Sequence, residues 1–182
     1  MADGTPVTVG VLSLHTSKET KAILNAVEDL GHDTEWLRAE NTSVSVTDGR
    51  PVLEPEVDVI ANRMLLSNTE QPAEELGLAK TFSQLVPTLN EPGSVLTAIH
   101  KLSTATALAA NDVRTPDVTL ALSGEQLTAA RSQYGEEAVY KTAIGTHGGG
   151  TWKVDLTERV NPKVGNRQAF LQQLIDRDDE KH

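Results

Sequence analysis

Ala138-Val-Tyr-Lys-Thr142, Gly145-Thr-His-Gly-Gly-Gly150 and Thr151-Trp-Lys-Val154 read in order as a strand, a glycine-rich loop and a returning strand. Four glycines in six residues let backbone N–H groups converge on an anion without side-chain obstruction. The loop is not a Walker A loop. Gly145 and Gly150 have its separation, but Thr151 stands where that loop needs a lysine, and the chain enters a strand rather than a helix. A glycine loop between adjacent strands acts as a flap over a phosphate chain. The plainer alternative is a mobile hairpin tip.

Lysines around the loop weigh the two alternatives. Lys141 lies in the entering strand after Ala138, Val139 and Tyr140, and a strand lysine among apolar neighbours is costly unless it meets an anion. Alternate strand positions also face solvent, so Lys141 taken alone is open to both readings. Lys153 in the returning strand either faces the same place or the surface, and Lys101, mid-helix after His100, reads singly as a solvated helix face. Lys101, Lys141 and the glycine loop together point to an ATP site.

Upstream, Val7 to Leu14 is a mostly apolar strand of the buried parallel kind. Thr16 and Glu19 form a capping-box pattern that announces a helix burying Ile23, Leu24, Val27 and Leu30, with Gly31 at its end. Asp33 to Leu37 is a second strand, and this β-α-β opening is typical of doubly wound sheets. Asp48-Gly49 between short apolar runs signals a hairpin. Val57 to Ala61 is a further strand ending at Asn62 and Arg63, and Glu70 to Leu85 is a helix stopped by Pro87.

Pro87 and Pro92 flank a boundary between two lobes. Beyond it, Ser94 to Ala110 reads as one helix, Val118 to Leu122 as a strand, Gly124 to Gln133 as a helix, and Gly165 to Asp176 as a last helical or hinge segment. The first βα turn, Ser13-Leu-His-Thr-Ser-Lys18, has no glycine, which disfavours a dinucleotide-binding dehydrogenase.

The net charge of the 182-residue chain is −10, from 26 acidic and 16 basic residues, so a nucleic acid would be repelled by the average field. The same acidity suits a salty cytoplasm, where salt screens the repulsion among surface carboxylates. There are no cysteines, and the five histidines lack ligand spacing, so a transition-metal site has little support. The start of the chain does not resemble a signal peptide, and no apolar run approaches the ~18 residues of a membrane span, so a cytoplasmic location is expected.

The motif order is Asn90-x-Pro92, His100-Lys101, Val113-x-x-Pro116, Val139-Tyr-Lys141, the glycine loop and Leu171-Gln-Gln-Leu-Ile175. It resembles the front part of an ATP-grasp ligase, and is most similar to RimK-like glutamate ligases of halophilic archaeal type. The resemblance implies an α/β fold, with a Rossmann-like pre-ATP-grasp lobe over residues 6–90, a first, incomplete ATP-grasp lobe over 91–176, and a polar tail over 177–182. It implies ATP as cofactor, with Lys101 and Lys141 on the phosphates and Gly145, His147, Gly148, Gly149 and Gly150 in the covering loop. Gln172, Gln173, Leu174 and Ile175 would form the hinge whose backbone meets adenine. Arg63 matches an arginine facing the acceptor substrate, although a strand-end arginine on the surface explains it equally.

Two departures from the family pattern stand out, His100 for an aspartate and Gln173 for a hinge glutamate. The first is expected to tune helix packing. The implied activity is ligation of an amino acid such as glutamate to a carboxylate through an acyl-phosphate, with magnesium ligands and a catalytic arginine expected beyond His182. The chain alone is accordingly expected to be inert. The acidic cluster Asp176, Asp178, Asp179 and Glu180 reads as a charged tail rather than a metal site. The contrasting reading is a non-catalytic nucleotide-binding module or gene remnant that needs a partner chain, and a third is an interaction domain without a ligand. A homo-oligomer is compatible with the sequence.

Overall fold

The computed structural model describes residues 5–66, 69–144, 150–155 and 169–175. The chain divides into two compact units, residues 1–95 and 96–182. The first is built on β1 (Thr8–Leu12), α1 (Lys18–Asp29), β2 (Asp33–Leu37), the hairpin β3 (Ser43–Thr47) and β4 (Arg50–Glu54), β5 (Val59–Asn62), α2 (Pro72–Leu85) and β6 (Thr88–Leu89). A parallel sheet runs in the order β2-β1-β5-β6.

β1 is central because it is mostly apolar, and Val11, Leu12, Leu37 and Ile60 are essentially sealed from solvent. Gly10 permits the closeness of that packing: a Cβ there would lie 2.8 Å from Leu37 Cδ1 and 3.1 Å from Val57 Cγ2. The expected hairpin is present, turning through Asp48 and Gly49 at φ of 51° and 73°.

α1 starts one residue later than the capping-box pattern suggests. Ser17, not Thr16, is the N-cap, and its hydroxyl accepts from Thr20 N at 3.1 Å. Thr20 is then drawn fully inside, where its hydroxyl meets Ser13 Oγ at 3.3 Å. Ile23, Leu24 and Val27 are half-buried, but Leu30 is 75% exposed, because it falls on the C-cap rather than the buried face.

Asn62 and Asn90 close the C-terminal ends of β5 and β6. Each amide donates to the other's carbonyl, at 3.0 and 3.1 Å, with Asn90 at φ 57°. Asparagine tolerates that left-handed geometry better than most residues.

The second unit takes up the chain within α3 (Pro92–Ile99), continuing through α4 (Lys101–Ala109), β7 (Val118–Ala121), α5 (Gly124–Tyr134), β8 (Glu137–Thr142), β9 (Thr151–Asp155) and β10 (Ala169–Gln173). Its antiparallel sheet has the order β7-β10-β8-β9. The α/β class expected from the sequence, a parallel lobe followed by a second lobe, is the fold observed.

Two expectations fail here. The single helix from Ser94 to Ala110 is broken at His100, whose backbone is extended (φ −92°, ψ 106°) and bridges Ile144. The segment read as helical or hinge contains a strand, β10, lying between β7 and β8; its apolar pair Phe170 and Leu171 serves both faces of the sheet, and both are buried.

One face of this sheet packs on α5, where Ala121, Ala138, Tyr140 and Leu171 meet Ala130 and Tyr134. Strand alternation turns Val118, Leu120, Val139, Lys141, Phe170 and Gln172 to the other face.

Candidate functional site

The site forms on that second face. The register pairs Phe170 with Lys141 and Gln172 with Val139, so Lys141 and Gln172 lie diagonally on one side. Lys141 Nζ donates to Gln172 Oε1 at 2.8 Å, with both side chains half-buried. Two residues singled out separately in the sequence are thereby joined.

Lys101 reaches the same place by another route. The break at His100 starts α4 at Lys101, and the Lys101 N–H donates to Ala143 O at 2.9 Å, just past the end of β8. Burial, and after it the charge of Lys141, holds the Lys101 ammonium below the ordinary lysine range. Two half-buried cations of one sign lie close enough for the charge of one to act on the other. Such an arrangement is poised to take up a polyanion.

The root of the glycine loop adjoins this pair. Ile144, the last described residue before the loop, bridges His100, and Gly150 accepts from Thr142 N at 3.0 Å on the far side. Gly150 has φ 87°, and a Cβ there would meet Thr142 Oγ1 at 2.9 Å, so the return into β9 requires glycine. Gly145, His147, Gly148 and Gly149 lie outside the described residues.

Lys153 shares the face of Lys141 by register, but its ammonium pairs with Glu137 at 2.7 Å on the surface. It therefore belongs to the surface rather than to the lysine pair. Gln173 turns its chemistry back on the fold: its N–H donates to Asp117 O at 2.8 Å, and its Oε1 accepts from Asp117 N at 3.4 Å. Leu174 and Ile175 follow the strand end, with Ile175 exposed. Among the described residues no group of three or more His, Asp or Glu side chains is placed to hold a metal ion.

His100 was expected to tune helix packing. It is instead the N-cap of α4: Nδ1 accepts from Ser103 N at 3.3 Å and lies 2.9 Å from Ser103 Oγ. Histidine is not among the preferred caps, so His100 carries no local signal for a helix break.

In the first unit, Arg63 follows β5 and its N–H donates to Leu12 O at 2.8 Å. The chain leaves β1 for β2 on one side and returns to β5 on the other, so Arg63 sits at a topological switch point. Its Nε is buried without a hydrogen-bond partner. Glu19 is held below the usual carboxylate range by its own backbone N–H and by the Ser17 hydroxyl, with the Arg63 charge adding a smaller pull in the same direction.

No family model matches the chain, and no curated protein is similar to it. Solved structures do match. A RimK domain ATP-grasp protein from Sphaerobacter thermophilus aligns with a TM-score of 0.67 at 18% identity, covering 93% of this chain and 64% of that one. The D-cycloserine synthetase DcsG aligns at 0.66 and 17% identity, over 92% of this chain and 59% of its own. An ADP complex of PurK, an N5-carboxyaminoimidazole ribonucleotide synthetase, aligns at 0.67 and 14%, over 93% of this chain and 48% of its own. This chain thus spans between about half and two thirds of the length of these proteins. At such identities the likeness establishes a shared ATP-grasp fold. Among the described residues no helix is long and apolar enough to cross a membrane.

Proposed function

We propose that the second unit binds ATP, with Lys101 and Lys141 on the phosphates, Gly145 to Gly150 covering them, and the backbone of Gln172 to Ile175 against adenine. The observation carrying this reading is the convergence of Lys101 and Lys141 beside the root of the glycine loop, with burial and mutual repulsion already weakening the Lys101 proton affinity. Polyphosphate relieves both costs at once. Gln172 orients Lys141 by accepting one of its three donors, leaving the others for phosphate oxygens.

The fold shared with ATP-grasp proteins supports the wider reading, an ATP-dependent carboxylate–amine ligase of RimK-like type adding an amino acid such as glutamate. In this reading residues 6–90 form the pre-ATP-grasp lobe, 91–176 the first ATP-grasp lobe and 177–182 a polar tail. Arg63 faces an anionic acceptor, and its buried, unpartnered Nε supports that role. ATP supplies the phosphoryl group that activates a carboxylate toward an amine. Magnesium would accompany the nucleotide, but the described residues offer no set of ligands for it, and no step is assigned through it. A cytoplasmic, halophilic setting belongs to the same proposal.

Calorimetric titration of ATP into the full chain in molar KCl tests it. Lys101→Met and Lys141→Met should each weaken binding by about tenfold or more, the effect of losing one charge-assisted hydrogen bond. Equal affinity in both variants and the wild type would remove the phosphate assignment.

A further inference from the structure

Among the contacts at the turn that carries Lys101 into the site, three bear directly on where Lys101 begins α4. Two are backbone contacts that any residue could make: the His100–Ile144 bridge and the Lys101 N–H to Ala143 O bond at 2.9 Å. The third belongs to the imidazole. Nδ1 of His100 accepts from Ser103 N at 3.3 Å, and because an amide can only donate, that nitrogen must carry a free lone pair. Ser103 Oγ, 2.9 Å away, adapts to either role. None of the residues of α4 is fully buried. Thr104 Oγ1 braces the same turn by donating to Thr97 O at 2.8 Å, but that contact does not titrate.

We propose that His100 is a positioning residue whose neutral imidazole caps α4 and fixes Lys101 beside β8, so that nucleotide affinity falls as His100 becomes protonated. This rests on the nucleotide reading of Lys101 and Lys141. Protonation makes both ring nitrogens donors, which abolishes the cap. It also adds a positive charge at a helix end that is already positive and immediately before the Lys101 ammonium.

On the elements around the turn, the titratable groups are Lys101 on α4 and Glu137, Tyr140 and Lys141 on β8, while α3 and β7 contain none. Glu137 stands at the far end of β8, paired with Lys153 at 2.7 Å. An imidazolium would also attract phosphate, but across screened solvent, whereas loss of the cap acts on the backbone that carries Lys101.

The test compares wild type with His100→Asn, whose side chain caps at every pH, and with His100→Ala. ATP affinity of the full chain is measured from about pH 7.5 to 5.5, and referring every value to the Asn variant cancels protonation of the nucleotide's own phosphate, which titrates near pH ~6. The wild type should lose about three- to tenfold relative to His100→Asn across this range, and His100→Ala should bind weakly throughout. In the nucleotide-free chain, the Ser103 amide resonance should move with the His100 ring.

A pH profile identical to that of His100→Asn, a relative gain in affinity on acidification, or a Ser103 amide indifferent to His100 would each overturn the proposal. Absence of ATP binding at every pH would remove the nucleotide reading and this one with it. The Ser103 amide would still report the cap by itself, so the two failures are distinguishable.

Discussion

Tyr140 shows how a single atom can be out of balance with its surroundings. It precedes Lys141 and points to the opposite face, into the cluster with Ala130, Leu171 and Ala138, where its ring also contacts Trp152 at 5.6 Å between centroids. Its hydroxyl is buried with no hydrogen-bond partner, and burial raises its pKa above the ordinary tyrosine value. An unpaired buried hydroxyl costs about 1–3 kcal/mol of desolvation, so Tyr140→Phe should leave stability unchanged or raise it by about 1 kcal/mol. A raised folded-state pKa contributes stability that is complete below the ordinary tyrosine pKa and lost as pH rises through the raised one. The Phe variant should therefore show a shallower alkaline decline in denaturant midpoint. Tyr134, likewise raised by burial, keeps part of that decline. A destabilised variant with an unchanged alkaline arm would mean that the hydroxyl has a partner.

Among elements, β10 departs furthest from its sequence reading. Residues 165–176 were expected to be helical or hinge-like, yet 169–173 form a strand with antiparallel partners on both sides. Phe170 and Leu171 are sealed on opposite faces, and Gln172 supplies the acceptor for Lys141. Phe170→Ala should cost about 3–5 kcal/mol, the range for emptying a buried aromatic site, and should also weaken ATP binding because β10 carries Gln172. Chemical denaturation followed through the second unit reads the first effect and calorimetry the second; a loss below about 1 kcal/mol would mean that β10 is not central. The elements legible in advance were those whose evidence is local. β1, β2 and the Asp48-Gly49 hairpin carry their signals in consecutive residues. β10 and the break at His100 do not: each depends on a distant strand or carbonyl, Val139 and Tyr140 for one, Ala143 and Ile144 for the other. Lys141 was legible as costly without an anion, but its link to Gln172 spans 31 positions and has no local signature.

At the scale of the whole molecule, charge is distributed far less evenly than the net value suggests. Residues 1–95 hold 15 acidic and 6 basic side chains, whereas residues 96–182 hold 11 and 10. The self-repulsion therefore belongs almost entirely to the first unit, and the near-balanced second unit is the one carrying Lys101 and Lys141. A near-neutral average field lets two lysines govern the local potential, where a strongly acidic one would oppose an approaching polyphosphate. Screening shortens from a Debye length of about 10 Å at 0.1 M salt to about 3 Å at 1 M, so KCl should stabilise the two units unequally. Raising KCl from about 0.1 to 2 M should increase the thermal midpoint by several degrees, with hydrogen exchange slowing more in β1, β2 and β5 than in β7, β8 and β10. A general salting-out effect would slow both sheets alike. Equal protection would therefore mean that the acidic excess of the first unit is not what salt relieves, and the salt-adapted reading of the composition would lose its physical basis.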